Sequence, residues 1–359
     1  MQGEPKEKSV LVAMSGGVDS AVAAHMMLSR GYKTEGAIFR MYRGKDDCRQ
    51  EEDISDAEKV CAELGISLSV LDFREDFKRE IVEKFIRIYE EGGTPNPCVD
   101  CNRTVKFGKL LDFARSQGLE YIATGHYARV EYSPETGRYQ LKKALSAEKD
   151  QSYVLCNLTQ EQLSRIIFPL GETDKSSVRS VASELGFDVA RKKDSQDICF
   201  IPDGDYAAFM ERYTGKKYPC GKFLDVQGNE VGEHRGAVRY TIGQRKGLGL
   251  SMGEPVYVCR KCMEDNTVTV GKEDLLFHRT LIAKDFNWVS IGCPDGEIRA
   301  KAKARYRQSE AWATVSVMAD GSVKITFDEP QRAMTCGQTA VIYDGDILLG
   351  GGVIESIED

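Results

Sequence analysis

The sequence predicts an N-terminal α/β domain built on a parallel, Rossmann-like sheet, followed by two small β-rich, barrel-like domains. Three observations lead there. Strand-like and helix-like runs alternate over the first two hundred residues, the pattern of βαβ units. Beyond about residue 205 the chain turns to short β runs separated by Gly, Asn and Asp turns. Its 359 residues also exceed what one compact core holds. The expected division is 1–204, 205–275 and 276–359.

The elements follow in order. SVLVAM (9–14) is a buried-type strand ending in the turn SGGVDS, and AVAAHMMLSRGY continues as a helix stopped at Gly31. TEGAIFRMY reads as a second strand, and 44–53 as a polar loop. ISDAEKVCAELG is the next helix, with Ser55 and Asp56 as candidate caps and Gly65 as its stop. ISLSVLDF is a third strand, Arg74 to Tyr89 a long helix, 104–117 another, and LEYIATGHYARV a further strand. In the β-rich part, QGN, DN, DG and YDGD mark hairpin turns.

Composition removes several classes. Hydrophobic residues at 41% and charged residues at 29% are ordinary globular usage, against a largely disordered chain. No apolar run is long enough to span a membrane, and MQGEPKEKSV has no signal-peptide core. Eleven cysteines without a secretion signal point to a reducing, cytoplasmic setting, where thiols act as ligands, nucleophiles or buried apolar groups. The net charge of −7 does not suggest a chain coated with nucleic acid. Residues 235–310 nevertheless carry fourteen Lys or Arg against nine Asp or Glu. RYTIGQRKG and RAKAKARYRQ interleave bases with Tyr there, which suits phosphate contact and base stacking.

The first chemical signal is Ser15-Gly16-Gly17-Val18-Asp19-Ser20, between the first strand and the first helix. Glycines let the backbone approach a phosphate, and the helix N-terminus offers free N–H groups with a favourable dipole. Asp19 cannot bind phosphate by charge, so it faces a magnesium ion or caps the helix. The loop lacks the Lys of a Walker motif. The second signal is a set of separated thiols, in Thr94-Pro95-Asn96-Pro97-Cys98-Val99-Asp100-Cys101-Asn102 and Ser195-Gln196-Asp197-Ile198-Cys199-Phe200. Cys101 is read as a thiol at a helix N-terminus, with its pKa lowered, and so as a candidate nucleophile.

SGGVDS resembles the PP-loop of ATP pyrophosphatases, which split ATP between the α and β phosphates and adenylate a substrate oxygen. Together with the cysteine segments, five further motifs resemble the tRNA-specific 2-thiouridylase family along essentially the whole chain. They are Gly125-His126-Tyr127-Ala128-Arg129, Lys149-Asp150-Gln151-Ser152-Tyr153, Gly171-Glu172-Thr173-Asp174-Lys175, Tyr240 to Gly247, and Ala304-Arg305-Tyr306-Arg307.

The resemblance implies ATP-dependent 2-thiolation of the wobble uridine, U34, of tRNAs for Lys, Glu and Gln. ATP adenylates the C2 oxygen, a persulfide on Cys199 delivers sulfur, and Cys101 is the nucleophile that leaves a Cys101–Cys199 disulfide. It implies an ATP site at Ala13, Met14, Ser15, Gly16, Gly17, Val18, Asp19, Ser20, Met41 and Gly125, with Mg2+. For tRNA and the target base it implies Asn96, Pro97, Cys98, His126, Lys149, Asp150, Gln151, Arg305, Tyr306, Arg307 and Gln338. The implied partners are tRNA and a sulfur-donor protein such as a cysteine desulfurase or a sulfur carrier, with no membrane.

One position departs from the family. An Asp proposed as acid/base is common where this chain has Cys98, so that role would pass to Asp100 or vanish. Alternatively Cys98, Cys101 and Cys199 would ligate a [4Fe–4S] cluster whose open iron takes hydrosulfide. A PP-loop amidotransferase or ligase would need an ammonia source, and an idle RNA-binding protein would need no intact loop or paired cysteines. Cys259-x-x-Cys262 and the remaining cysteines read as packing or incidental thiols, with Cys48 beside the nucleotide the one to watch.

Overall fold

The computed structural model of the chain describes residues 8–42, 49–192 and 198–358. Strands β1 (Ser9–Met14), β2 (Lys33–Arg40), β3 (Leu68–Asp72) and β4 (Tyr121–Thr124) come first. The hairpin β5 (Ala128–Ser133) and β6 (Arg138–Lys143) follows, and then β7 (Ile166–Ile167). β1–β4 and β7 make a parallel sheet in the order β3-β2-β1-β4-β7. Alternation along β1 covers both faces. Val10 and Val12 pack with the helices α1 (Val18–Ser29) and α2 (Arg49–Leu64), while Leu11 packs with Phe77, Phe85, Val105 and Leu110 from helices on the other face.

The sequence-based boundaries need three corrections. α2 begins at Arg49, so Ser55 and Asp56 lie inside it rather than at its cap, and Asp56 accepts an ion pair from Lys192 instead. The helix expected from 104 starts at Pro97, because proline suits a first helical turn, and it runs through a π-helical stretch, Asn102–Lys109, before Leu110–Ser116. The helix from Arg74 carries a similar π stretch at Lys78–Val82. The run 119–130 is two strands in two sheets: β4 ends at Thr124, and β5 departs after Tyr127.

The β-rich part has two sheets. β8 (Gly221–Leu224), β9 (Glu230–His234), β10 (Tyr257–Cys262) and β11 (Thr267–Gly271) form one, in the order β10-β11-β8-β9. The other contains β12 (Phe277–Trp288), β13 (Ile298–Lys303), β14 (Ala311–Val317), β15 (Val323–Arg332), β16 (Thr339–Asp344) and β17 (Ile347–Glu358). Pairing of β12 with β17 closes these six into an antiparallel barrel. All four expected hairpin turns are present, with positive φ at Gly228, Asn266, Gly321 and Gly345.

The barrel also reaches back to the first domain. β6 pairs with β17 through Lys142–Ile347 and Leu141–Leu348, so the β5–β6 hairpin extends the C-terminal sheet. No helix among the described residues is long and apolar enough to cross a membrane.

Candidate active site

The phosphate loop folds on its own hydroxyls. Ser20 Oγ accepts from the Ser15 N–H at 3.1 Å, lies 3.1 Å from Ser15 Oγ and donates to Gly17 O at 2.9 Å. Gly17 caps α1 without any side-chain bond, which leaves first-turn N–H groups for an anionic ligand. Gly16 has φ +65°, and a Cβ there would lie 2.4 Å from Asp53 O, so only glycine fits against α2. Lys192 fastens the same contact, donating to Gly16 O at 3.0 Å, Asp53 at 2.8 Å and Asp56 at 2.9 Å. Burial opposes its charge, but those carboxylates outweigh burial and raise its pKa.

Asp19 does not cap α1, contrary to one of its two sequence readings. Its Oδ1 accepts from Tyr127 Oη at 2.7 Å, and Lys175 Nζ lies 2.7 Å from both oxygens. Lys175 begins the helix Lys175–Glu184, whose cap Asp174 accepts from the Ser177 N–H at 2.9 Å. Hydrogen bonds from Ser176 and Ser177 hold the Asp174 carboxyl well below the usual range. The structure thus brings a lysine from a distant helix to the loop, which has none of its own. Sequence reasoning quoted Lys175 only inside a motif, and its one legible sign was the Thr-Asp-Lys helix start. Gly125, just after β4, presses on the loop, since a Cβ there would sit 2.8 Å from Asp19 C and 2.9 Å from Ser20 N. Ala13 and Met14 end β1, and Met41 is buried just beyond β2.

The segment 125–127 leads from this loop to the thiols. Tyr127 and Gln151 exchange two bonds of 2.9 Å, Tyr127 N to Gln151 Oε1 and Gln151 N to Tyr127 O. Asp150 shapes the same loop, accepting from Ala144 N, Ser152 N and Ser152 Oγ, and Lys149 adjoins it with its N–H on Ser146 O. His126 Nδ1 lies 2.8 Å from Thr124 Oγ1, and its ring packs on Phe107 and Phe168. Burial first, and Lys106 second, push its pKa down to about 3, so the imidazole is neutral at ordinary pH.

Of the target-base residues expected from the sequence, Gln338 binds the loop that carries Asn96, Pro97 and Cys98. The barrel holds this loop: Thr94 N donates to Cys336 O at 2.9 Å, and Gln338 Nε2 donates to Thr94 O at 2.9 Å and Pro95 O at 3.2 Å. Tyr153 donates to Thr339 O at 2.6 Å. Tyr306 donates to Asp150 O at 3.2 Å, packs 5.6 Å from the Tyr153 ring and feels the charge of Cys98 and Arg307. Arg307 is exposed. Arg305 is turned inward, donating to Ile242 O at 3.1 Å and Thr335 Oγ1 at 2.6 Å, so it ties the two β-rich sheets together.

Cys101 corrects the sequence reading. Pro97 occupies the first helical turn, so Cys101 sits a turn further in and is buried. Burial pushes its thiol up to about 12; Lys106 opposes that shift, while Cys199, Cys98 and Asp100 add to it. Cys98, just inside the helix start, also has a raised pKa despite its exposed surface, because protein crowds the thiol on its remaining sides. Cys199 is exposed and close enough to act electrostatically on Cys101. Asp100 is engaged elsewhere, its carboxylate accepting from Lys84 at 2.8 Å. No three His, Cys, Asp or Glu side chains among the described residues are grouped to hold a metal ion. Cys259 and Cys262 point their thiols to Tyr257 O and Asp265, as packing residues do. Cys48, Ser195, Gln196 and Asp197 lie outside the described residues.

The comparisons agree along the full length. Family models match residues 8–203 (tRNA methyl transferase HUP domain), 207–272 (tRNA methyl transferase PRC-barrel domain) and 278–354 (Aminomethyltransferase beta-barrel domain). The tRNA-specific 2-thiouridylase MnmA of Acetivibrio thermocellus is 46% identical over 357 residues, covering 97% of this chain and 99% of that protein. The enzyme so named from Clostridioides difficile is 44% identical over 354 residues, covering 97% and 98%. That of Treponema denticola is 46% identical over 359 aligned positions, again covering 97% and 98%.

Proposed function

The chain belongs to the tRNA-specific 2-thiouridylase family, and from that membership we propose how its residues carry out the reaction. It is a tRNA sulfurtransferase of the PP-loop ATP pyrophosphatase type, performing ATP-dependent 2-thiolation of the wobble uridine, U34. Two family models are described by methyl transfer, but a phosphate loop and separated thiols do not serve that chemistry, and the relatives named above are thiouridylases.

An amide-like oxygen is a poor leaving group until it is activated. The loop 15–20 and Lys175 hold the phosphates while the C2 oxygen attacks the α-phosphorus, forming the adenylate and releasing pyrophosphate. Asp19 is the loop carboxylate that would hold magnesium, which supplies neutralising charge at the pyrophosphate. The terminal sulfur of a Cys199 persulfide then attacks C2, and AMP departs with the oxygen. Cys101 attacks Cys199 Sγ, the 2-thiouridine leaves, and a Cys101–Cys199 disulfide forms. An external dithiol reduces it. Atoms and electrons balance: the transferred sulfur gains the two electrons that the cysteines lose. We route no step through an iron–sulfur cluster, because no trio of ligands is grouped for one among the described residues.

The observation that carries this reading is an exposed Cys199 whose charge acts on a buried Cys101, in the helix that the barrel-held loop 94–98 leads into. Asn96, Pro97, Cys98, Tyr306 and Gln338 would cradle the flipped base, and Arg307 the neighbouring phosphates. The substrates would be tRNAs for Lys, Glu and Gln in the cytoplasm, with sulfur from a cysteine desulfurase or a sulfur carrier. Cys101→Ser and Cys199→Ser test the scheme. Each should lose thiolation yet still release pyrophosphate with unmodified tRNA; full thiolation by either variant would sink it.

A further inference from the structure

Arg299, Lys301 and Lys303 alternate with Ala300 and Ala302 along β13. The alanines are buried inside the barrel, so the two-residue period of a strand sends all three cations to its outer face. On β14, Trp312 stands directly opposite Lys301 and is 50% exposed. An exposed apolar residue needs no explanation alone, but this one is framed. Lys301 Nζ lies 5.5 Å from the centre of its ring and the Arg299 guanidinium 5.7 Å. The row continues towards the proposed site. Lys303 Nζ lies 5.8 Å from the Tyr153 ring, which packs 5.6 Å from the half-exposed Tyr306. Tyr153 donates to the carbonyl of Thr339, next to the Gln338 that holds the loop 94–98.

The nearby carboxylates are already taken. Asp328 accepts from both terminal nitrogens of Arg299, at 2.8 and 2.6 Å, and Glu310 pairs with Lys143 at 2.5 Å. Lys301 and Lys303 make no ion pair or side-chain hydrogen bond with any described residue, although Glu310 and Asp150 act on Lys303 from further off. Side chains two apart on a strand are about 6.7 Å apart, close to the step between phosphates of an extended nucleic-acid strand. Uncommitted ammonium groups at that step, with a ring between them and the next cation, suit a single-stranded backbone with one base stacked. Duplex RNA keeps its bases stacked on one another and offers none to Trp312. An acidic protein surface would match the lysines but give the indole nothing to stack on.

We propose that the outer face of β13 and β14 binds single-stranded RNA, namely the unpaired nucleotides next to the target uridine. Trp312 stacks on one of their bases, Lys301 and Lys303 take successive phosphates, and Arg299, fixed by Asp328, flanks the indole. The proposal rests on the tRNA-thiolation reading above and extends the RNA path outward from the target-base loop.

The test is a titration of the full chain with unmodified tRNA, read by tryptophan fluorescence and by filter binding across a range of salt. The chain has two tryptophans, so Trp288→Phe isolates the signal of Trp312. Stacking should quench that signal, and abasic sites in place of the nucleotides flanking the target uridine should abolish the quenching. Trp312→Ala should weaken tRNA binding about tenfold, and Trp312→Phe should recover most of the loss. Lys301→Met should flatten the log–log salt slope by about 0.7, the single-strand value for one phosphate. Unchanged tRNA affinity in Trp312→Ala overturns the proposal, as does quenching that survives the abasic sites. If Trp312→Ala does not fold, Trp312→Leu carries the same comparison. If tRNA affinity holds while sulfur loading of Cys199 by a purified cysteine desulfurase falls, the face is a protein contact and the proposal is equally overturned. A wild type that releases no pyrophosphate with unmodified tRNA would defeat the underlying reading. Normal thiolation by the wild type beside an unaltered Trp312→Ala would defeat this inference alone.

Discussion

Lys175 and Asp19, 156 positions apart in the chain, meet with the ammonium 2.7 Å from both carboxylate oxygens at the phosphate loop. On the proposed reading, a phosphate bound at the loop would compete with the carboxylate for the lysine and open the pair. Lys175→Met should therefore slow tRNA-dependent pyrophosphate release by roughly a hundredfold or more, with tRNA affinity unchanged. Asp19→Ala should likewise abolish release. Wild-type release by both variants would remove the pair from the chemistry.

Thiol reactivity should follow exposure. With Cys101 buried and its pKa pushed up to about 12, almost none of it is thiolate at pH 7.5. Iodoacetamide should label Cys199 first, and labelling of Cys101 should rise with pH as its thiolate fraction grows. Mass spectrometry of peptides after timed quenching reads both rates, and faster labelling of Cys101 at neutral pH would contradict the geometry.

Two neighbouring arginines should part company. Arg305→Ala leaves Ile242 O and Thr335 Oγ1 without their donor and should lower stability by about 1–3 kcal/mol, visible as a reduced Tm. Arg307→Ala, at an exposed side chain, should leave Tm alone. It should weaken tRNA binding and flatten the log–log salt slope by about one unit per lost phosphate contact. An unchanged salt slope for Arg307→Ala would put the RNA elsewhere.

Gly125→Ala should separate folding from nucleotide binding. The added methyl group meets Asp19 C at 2.8 Å and Ser20 N at 2.9 Å, which are backbone atoms with little room to yield. ATP affinity should fall at least tenfold by calorimetry while the barrel stays intact. ATP binding at wild-type strength would mean the loop gives way more easily than its packing indicates.

Local signals were the legible ones. The loop 15–20 announces itself because glycines, hydroxyls and a strand–helix junction are contiguous, and the hairpins because Gly228, Asn266, Gly321 and Gly345 carry the turn chemistry themselves. What escaped depends on distant partners. Residues 119–130 read as one strand because nothing within them tells that β5 pairs with β6, and β6 with a strand two hundred residues later. Lys175 looks like an ordinary first-turn residue until the fold places Asp19 beside it. The Cys101 reading failed for a related reason. Proximity to a helix start is local, whereas the desolvation that outweighs it comes from the surrounding core.

The bonds from Gln338 to the 94–95 carbonyls set a schedule for the newborn chain. They span up to 244 positions, and translation at roughly 5–20 residues per second needs about 12–50 s to cover that distance. Through that interval the phosphate loop has already emerged with its strand and helix, while the 94–98 loop has no barrel to rest on. On the proposed reading, a half-made molecule would hold a nucleotide before it could seat a base. The order of synthesis would then withhold the reaction until the receiving side of the site is built.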